Sequence, residues 1–243
     1  MKNIFILFFL LTFNIFGYIN INPVTFDRKI DDKGEVQEYT LYNPTQNTLK
    51  YQLYLTDENI EKSMKNWIEI FPTTVTLKPG RSGKFKVFVK APKGAPKGEY
   101  LVTVGVKEIA LPKLNSKENS TVQILTHLKM DLAGYIGDLT PKIFLKDFST
   151  TLKDNNLNFH GIIANVGERR GTLDFYLAQN KGKNPIYVGN LRLLKNEKIK
   201  ASKLNQKLTK HDKDLIKNFS KYNTLIVKDS LSKRVLYEEK INN

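Results

Sequence analysis

Residues 49–56 read LKYQLYLT, and the alternation of Tyr51, Leu53 and Leu55 with polar residues decides the fold class. Because successive side chains of a β-strand point to opposite faces, this alternation predicts a half-buried strand. Similar runs, divided by proline and glycine turns, occupy residues 36–43, 85–89 and 99–106. Short strands separated in this way are typical of a β-sandwich.

The second half of the chain repeats this pattern. We expect strands at residues 157–163, 173–177 and 186–194, and a hairpin of 224–227 with 234–241. Residues 209–222 are the best helix candidate. Residues 133–141 contain two glycines and a proline, so we place a domain boundary there. The prediction is an all-β chain with an immunoglobulin-like domain over residues 18–134 and a second β-sandwich over residues 135–243.

The first residues differ in character from both halves. Residues 1–17, MKNIFILFFLLTFNIFG, combine Lys2 with an apolar run and a small residue, Gly17, which predicts a secretory signal peptide. As a helix, the apolar run spans about 20 Å, less than the roughly 30 Å of a bilayer core, so a retained anchor is the less favoured alternative. We therefore predict a periplasmic or otherwise secreted protein.

Composition limits the chemistry of the chain. It has no cysteine, which excludes disulfides, thiol nucleophiles and cysteine-based metal sites. The formal charge of +15 is compatible with nucleic-acid binding, but secretion argues against nucleic acid as a partner. The histidines, His127, His160 and His211, follow no metal-ligand spacing, and no nucleophile or phosphate-loop motif occurs. We predict that the protein is not an enzyme and holds neither metal nor cofactor.

The positive charge is concentrated in the second half. Residues 136–243 carry 21 basic and 11 acidic side chains, against 17 and 13 in residues 18–135. Lysines recur at three- and four-residue steps and would line one face of a continuous helix: Lys203, Lys207, Lys210, Lys213, Lys217 and Lys221. Two interpretations stay open, a solvated face and a stripe that contacts an anionic surface such as lipid headgroups.

One long alternating run, residues 122–132 (VQILTHLKMDL), precedes the predicted boundary. It is either a core strand of the first domain or an edge strand offered to a partner. Natural proteins usually blunt an exposed edge, whereas a protein that keeps one can use it to add a strand to another protein. No proline interrupts this run.

Together with the signal peptide, the size, the NPT of residues 43–45 and the VTLKPG of residues 75–80, this run resembles the PapD-like periplasmic chaperones of chaperone/usher pilus assembly. The resemblance implies two immunoglobulin-like domains and a strand that completes the fold of a pilin-like subunit. It also implies a cleft arginine and lysine that hold the subunit's terminal carboxylate, and an outer-membrane usher as a further partner.

Carried over to this sequence, the resemblance assigns the donor strand to alternating positions, Val122, Ile124, Thr126, Leu128 and Met130. It assigns the subunit carboxylate anchor to Arg28, with its neighbour Lys29 as an alternative, and to Lys129. The chain departs from the family at Asp131, where the cleft lysine would lie, and this acidic residue would repel a carboxylate. The leading hypothesis is therefore a chaperone for surface-fibre subunits, and the alternative is a secreted or envelope structural or adhesion module.

Overall fold

The computed structural model describes residues 19–31, 33–111 and 124–242. The predicted signal peptide and Val122 lie outside these residues. The chain divides into two compact units, which meet in the sequence between Ile136 and Gly137. This division falls two residues beyond the predicted boundary, and the short segment Lys97–Glu99 groups with the second unit.

The first unit is built of two facing sheets. One sheet has the strand order β1-β3-β7-β5, and the other has the order β2-β9-β8-β4-β6. The strands are β1 (Asn20–Asn22), β2 (Asp27–Lys29), β3 (Glu35–Tyr42), β4 (Leu49–Thr56), β5 (Ile68–Phe71), β6 (Thr74–Leu77), β7 (Ser82–Val89), β8 (Gly98–Ile109) and β9 (His127–Ile136). A single 3₁₀ turn, Lys65–Trp67, precedes β5.

The core of the first unit follows from the alternation in the sequence. Tyr51 and Leu53 of β4 are buried, as are alternate residues of β7, where Phe85 stacks on Tyr39 of β3 with ring centroids 4.9 Å apart. Burying each large apolar side chain contributes roughly 1.5 to 3 kcal/mol to stability. The strands predicted at residues 36–43, 49–56, 85–89 and 99–106 are confirmed.

The second unit is also a pair of sheets. Its first sheet has the order β10-β11-β14, with β15 also paired to β11, and its second has the order β13-β12-β16-β17. The strands are β10 (Ile143–Lys153), β11 (Asn156–Asn165), β12 (Gly171–Gln179), β13 (Lys183–Leu193), β14 (Lys198–Lys200), β15 (Gln206–Lys207), β16 (Thr224–Asp229) and β17 (Val235–Lys240). The predicted C-terminal hairpin is β16 with β17. The prediction of an all-β fold with two β-sandwiches is confirmed.

The helix predicted over residues 209–222 is wrong as a single element. The segment contains a five-residue helix, α1 (Lys213–Lys217), between the 3₁₀ turns Lys210–Asp212 and Phe219–Lys221. Upstream, Lys203 lies in a further 3₁₀ turn and Lys207 pairs with β11. The lysines of the predicted stripe therefore do not share one helical face, because the chain must cross the sandwich and bury leucines on the way, such as Leu204, Leu208 and Leu215.

Strand β9 is displaced toward the C-terminus relative to the prediction of residues 122–132. Ile124 and Thr126 precede the strand, and β9 continues through Gly134 to Ile136. The continuation is stable because Leu132, Ala133 and Tyr135 are buried. Alternation alone could not reveal this end, since the four residues Leu132–Tyr135 are buried consecutively.

Candidate functional site

Strand β9 lies between β8 and the short strand β2, which is parallel to it. The pairing with β2 covers only the C-terminal half of β9. The Ala133 amide donates a hydrogen bond to the Phe26 carbonyl at 2.8 Å, and the Ile30 amide donates to the Tyr135 carbonyl at 3.0 Å. Among the described residues, no strand pairs with this side of β9 before Ala133.

The segment that leads into β9 is fixed to β8 by Glu108. The Glu108 amide donates to the Thr126 carbonyl at 2.8 Å, and the Thr126 amide donates to the Glu108 carboxylate at 2.9 Å. Glu108 is buried and lies opposite Tyr51 in the register of β4 and β8. Burial raises the pKa of the Tyr51 hydroxyl, and the negative charge of Glu108 raises it further.

These bonds establish which way each backbone group of β9 points. In a strand, the amide and carbonyl of one residue face the same neighbour, and those of the next residue face the other neighbour. Ala133 and Tyr135 face β2, and Thr126 faces β8. By this alternation, the backbone groups of His127, Lys129 and Asp131 face the side on which β2 is missing. We call this side of residues 127–131 the open edge.

The two faces of the open-edge segment differ in polarity. Leu128 and Met130 are half-buried and pack against the core of the first unit, and Leu132 is fully buried. Thr126, at the start of the segment, is half-buried, and Ile124 is 67% exposed. The predicted donor residues in the described part of the chain therefore form an apolar row that becomes more exposed toward its N-terminal end.

The opposite face of the segment is polar and bonded within its own unit. The His127 ring contacts the Tyr54 hydroxyl at 2.6 Å. The ammonium group of Lys129 lies 3.9 Å from the Glu58 carboxylate, and Thr103 donates a hydrogen bond to Asp131 at 2.6 Å. Lys129 and Asp131 are nevertheless exposed.

The structure does not bring the two predicted anchor residues together. Arg28 lies in β2, is half-buried and donates a hydrogen bond to the Gln37 side chain at 3.3 Å. Its register partner is Gly134, five residues beyond Lys129 along β9. At a strand rise of 3.3 Å per residue, this separation is about 17 Å along the strand.

The described residues contain no group of three or more acidic or histidine side chains that could hold a metal ion. No helix in this part of the chain is long and apolar enough to cross a membrane. Sequence reasoning identified the side chains of the β9 region but missed the backbone of His127, Lys129 and Asp131. No sequence signal marks these groups, because their availability depends on where β2 ends.

No family model and no curated protein matches this chain. Its fold is similar to solved fimbrial chaperones. The class 5 fimbriae chaperone CfaA is 13% identical, with 92% of this chain and 98% of that chain covered at a TM-score of 0.45. The E. coli chaperone DraB is 11% identical, with 91% of this chain and 94% of that chain covered at a TM-score of 0.43.

A third match is the complex of CsuC and CsuE, chaperone and tip adhesion subunit, from archaic chaperone-usher Csu pili of Acinetobacter baumannii. It is 13% identical, with 76% and 89% covered at a TM-score of 0.41. The similarity to these chaperones is a similarity of fold.

Proposed function

We propose that this protein is a chaperone that captures a surface-fibre subunit by adding the open edge of β9 to the subunit's incomplete sheet. The observation that carries the proposal is that no described strand pairs with the backbone groups of His127, Lys129 and Asp131 on their outer side, combined with an apolar row on one face. Backbone hydrogen bonds supply affinity in strand addition, and alternate side chains fill the partner's groove.

The side chains that would enter the partner's groove are those of Leu128 and Met130, with Ile124 and Thr126 ahead of them. Leu128 and Met130 are only half-buried in this unit, so a partner can cover their remaining surface. Removing apolar surface from water contributes roughly 25 cal/mol per Å². Val122, at the start of the predicted donor row, lies outside the described residues.

A carboxylate anchor for the end of the subunit is a further part of the proposal. Arg28 and Lys129 remain the candidates, and each carries a cationic group that is not deeply buried. A charge-assisted hydrogen bond to a carboxylate contributes roughly 1.5 to 3 kcal/mol. Because the two residues are about 17 Å apart along β9, one carboxylate is expected to use one of them.

We place this activity outside the cytoplasm, in the periplasm or another extracytoplasmic compartment. The apolar run and small residue of residues 1–17 support this location. An outer-membrane usher is then the expected receiver of the captured subunit. N-terminal sequencing of protein from the cell envelope should find a first residue near Tyr18, whereas an intact Met1 would favour a retained anchor.

The alternative is a structural or adhesion module of the envelope, and one observation favours it. Lys129 and Asp131 already bond to Glu58 and Thr103 within their own unit. Charged side chains on an edge strand are also a common protection against unwanted pairing. In this case the charged side chains would prevent another strand from pairing with the open edge.

Amide hydrogen exchange distinguishes the two functions. The protein is co-expressed with candidate subunits, which are any small secreted β-proteins found to be encoded beside its gene, and any stable complex is compared with the free chain. The amides of His127, Lys129 and Asp131 should exchange fast in the free chain and at least about tenfold more slowly in the complex, because they become part of a ladder. The Ala133 amide is the matched control, since it is bonded to the Phe26 carbonyl in the free chain and should keep this bond in the complex.

Two results would contradict the chaperone proposal. One is a stable complex in which these three amides keep their fast exchange, which would place the contact elsewhere. The other is protection of the same amides in the free chain, which would mean that the open edge is already covered.

A further inference from the structure

The outward face of the β10-β11-β14 sheet in the second unit is lined with lysines. Strand register places Lys146 of β10, Ile162 of β11 and Lys200 of β14 side by side. At the other end of the sheet, Lys153 and Lys207 lie on either side of β11. We define the lysine face as the outward residues Phe144, Lys146, Lys153, Ile162, Lys198, Lys200 and Lys207.

The lysine face carries no acidic side chain at its outward strand positions. The remaining outward positions of β10 and β11 hold no acidic side chain: Ser149, Thr151, Asn156, Asn158, His160 and Ala164. Asp147 lies at the bulge of β10, and Asp154 lies in the turn that follows it. Within the described residues, the ion pairs of the second unit involve other side chains. No lysine of the lysine face takes part in these ion pairs.

Two large apolar side chains lie among these lysines. Phe144 is 55% exposed and Ile162 is 40% exposed, and neither packs against the core of the second unit. They are diagonal neighbours on β10 and β11, a position in which side chains are within reach of one another. Exposed apolar residues surrounded by cations suit a surface that is anionic outside and apolar beneath.

We propose that the lysine face docks on the surface of an anionic lipid bilayer. Lysine ammonium groups attract phosphate headgroups without requiring fixed geometry, while Phe144 and Ile162 enter the boundary between headgroups and acyl chains. The sheet contributes no arginine to this face, and arginine is the residue most used for specific contacts with bases. This surface lies entirely within the second unit, so the proposal does not depend on strand addition by β9.

The test is flotation of the full chain, without residues 1–17, with lipid vesicles. We expect binding to phosphatidylcholine vesicles containing about 30% phosphatidylglycerol and little binding to phosphatidylcholine alone. Raising the salt from about 0.1 M to about 0.5 M should weaken the binding strongly, because screening shortens the range of the attraction. Equal binding to both kinds of vesicle, or no binding, would overturn the proposal.

Charge reversal locates the surface. The double variant Lys146→Glu/Lys200→Glu should lower the affinity for anionic vesicles at least about tenfold. The matched control, Lys183→Glu/Lys240→Glu, makes the same change of charge at exposed lysines of β13 and β17 in the other sheet. Equal losses in the two variants would show that only net charge matters and would overturn the assignment to this face.

Two further measurements separate lipid from other polyanions. Phe144→Ser leaves the charge unchanged and should weaken vesicle binding several-fold, with thermal melting as the check on folding. A DNA duplex added at the same concentration of negative charge should displace little protein from the vesicles. Full displacement would identify a general polyanion site and overturn the lipid assignment.

Discussion

Strands β9 and β12 share the same alternation of apolar and polar residues, but they differ in burial and in pairing with neighbouring strands. In β12, Leu173, Phe175 and Leu177 are fully buried, and β13 and β16 pair with the strand on its two sides. In the first half of β9, Leu128 and Met130 are only half-buried, and pairing with β2 begins at Ala133. Alternation therefore predicts that a strand has one apolar face, but not whether the strand has two neighbours.

The largest difference between the two strands should appear when a charge is placed on the apolar face. Phe175→Glu leaves an unpaired carboxylate in a closed core, so we expect a loss of about 4 kcal/mol or more and unfolding of the second unit. Leu128→Glu should cost only about 1 to 2 kcal/mol, because its carboxylate can reach water. Thermal melting of both variants measures this, and an equal loss would show that β9 is an ordinary core strand.

Proline substitutions test the direction of the backbone groups within β9. The Leu128 amide faces β8, so Leu128→Pro removes a ladder hydrogen bond and should cost about 2 kcal/mol. The Lys129 amide faces the open edge, and proline is tolerated at such positions. Lys129→Pro should therefore cost about 1 kcal/mol or less in urea unfolding and abolish subunit capture. The opposite order of stabilities would contradict the alternation derived for this strand.

A third variant compares the covered half of β9 with its open half. A Cβ at Gly134 would lie 2.5 Å from Ile30 Cδ1 and 2.8 Å from Met64 Sδ, and both of these side chains are fully buried. Gly134→Ala should therefore destabilise the first unit by about 1 to 3 kcal/mol. Lys129→Ala, an exposed control in the open half, should stay within about 0.5 kcal/mol. A neutral Gly134→Ala would mean that β2 and Met64 shift easily.

The smallest effect concerns the carboxylate anchor. Once a subunit has been identified, its C-terminal peptide is compared with the same peptide in amidated form. We expect the free carboxylate to bind about tenfold more tightly, which is roughly 1.4 kcal/mol. Because a guanidinium group can donate two parallel hydrogen bonds to one carboxylate, Arg28→Ala should lose this preference and Lys129→Ala should keep it. A preference that survives in both variants would remove both residues from the anchor.

The sequence alone determined the fold class and most of the strands. In β4 and β7 alternate residues face the core, so the order of apolar and polar residues directly predicts which residues are buried. Proline and glycine residues in the turn segments also indicated where one strand ends and the next begins. The helix prediction for residues 209–222 failed because its apolar residues, Leu215, Ile216 and Phe219, are divided between the short helix α1 and the 3₁₀ turn Phe219–Lys221.

Only the tertiary structure decided what β9 and the lysines can do. The open edge exists because β2 is three residues long and reaches only Ala133–Tyr135, a pairing between segments about a hundred residues apart. The lysine face likewise joins residues from β10, β14 and β15, which strand register brings into rows. Local periodicity specifies which face of a strand is apolar, whereas long-range pairing determines which edges and surfaces remain uncovered.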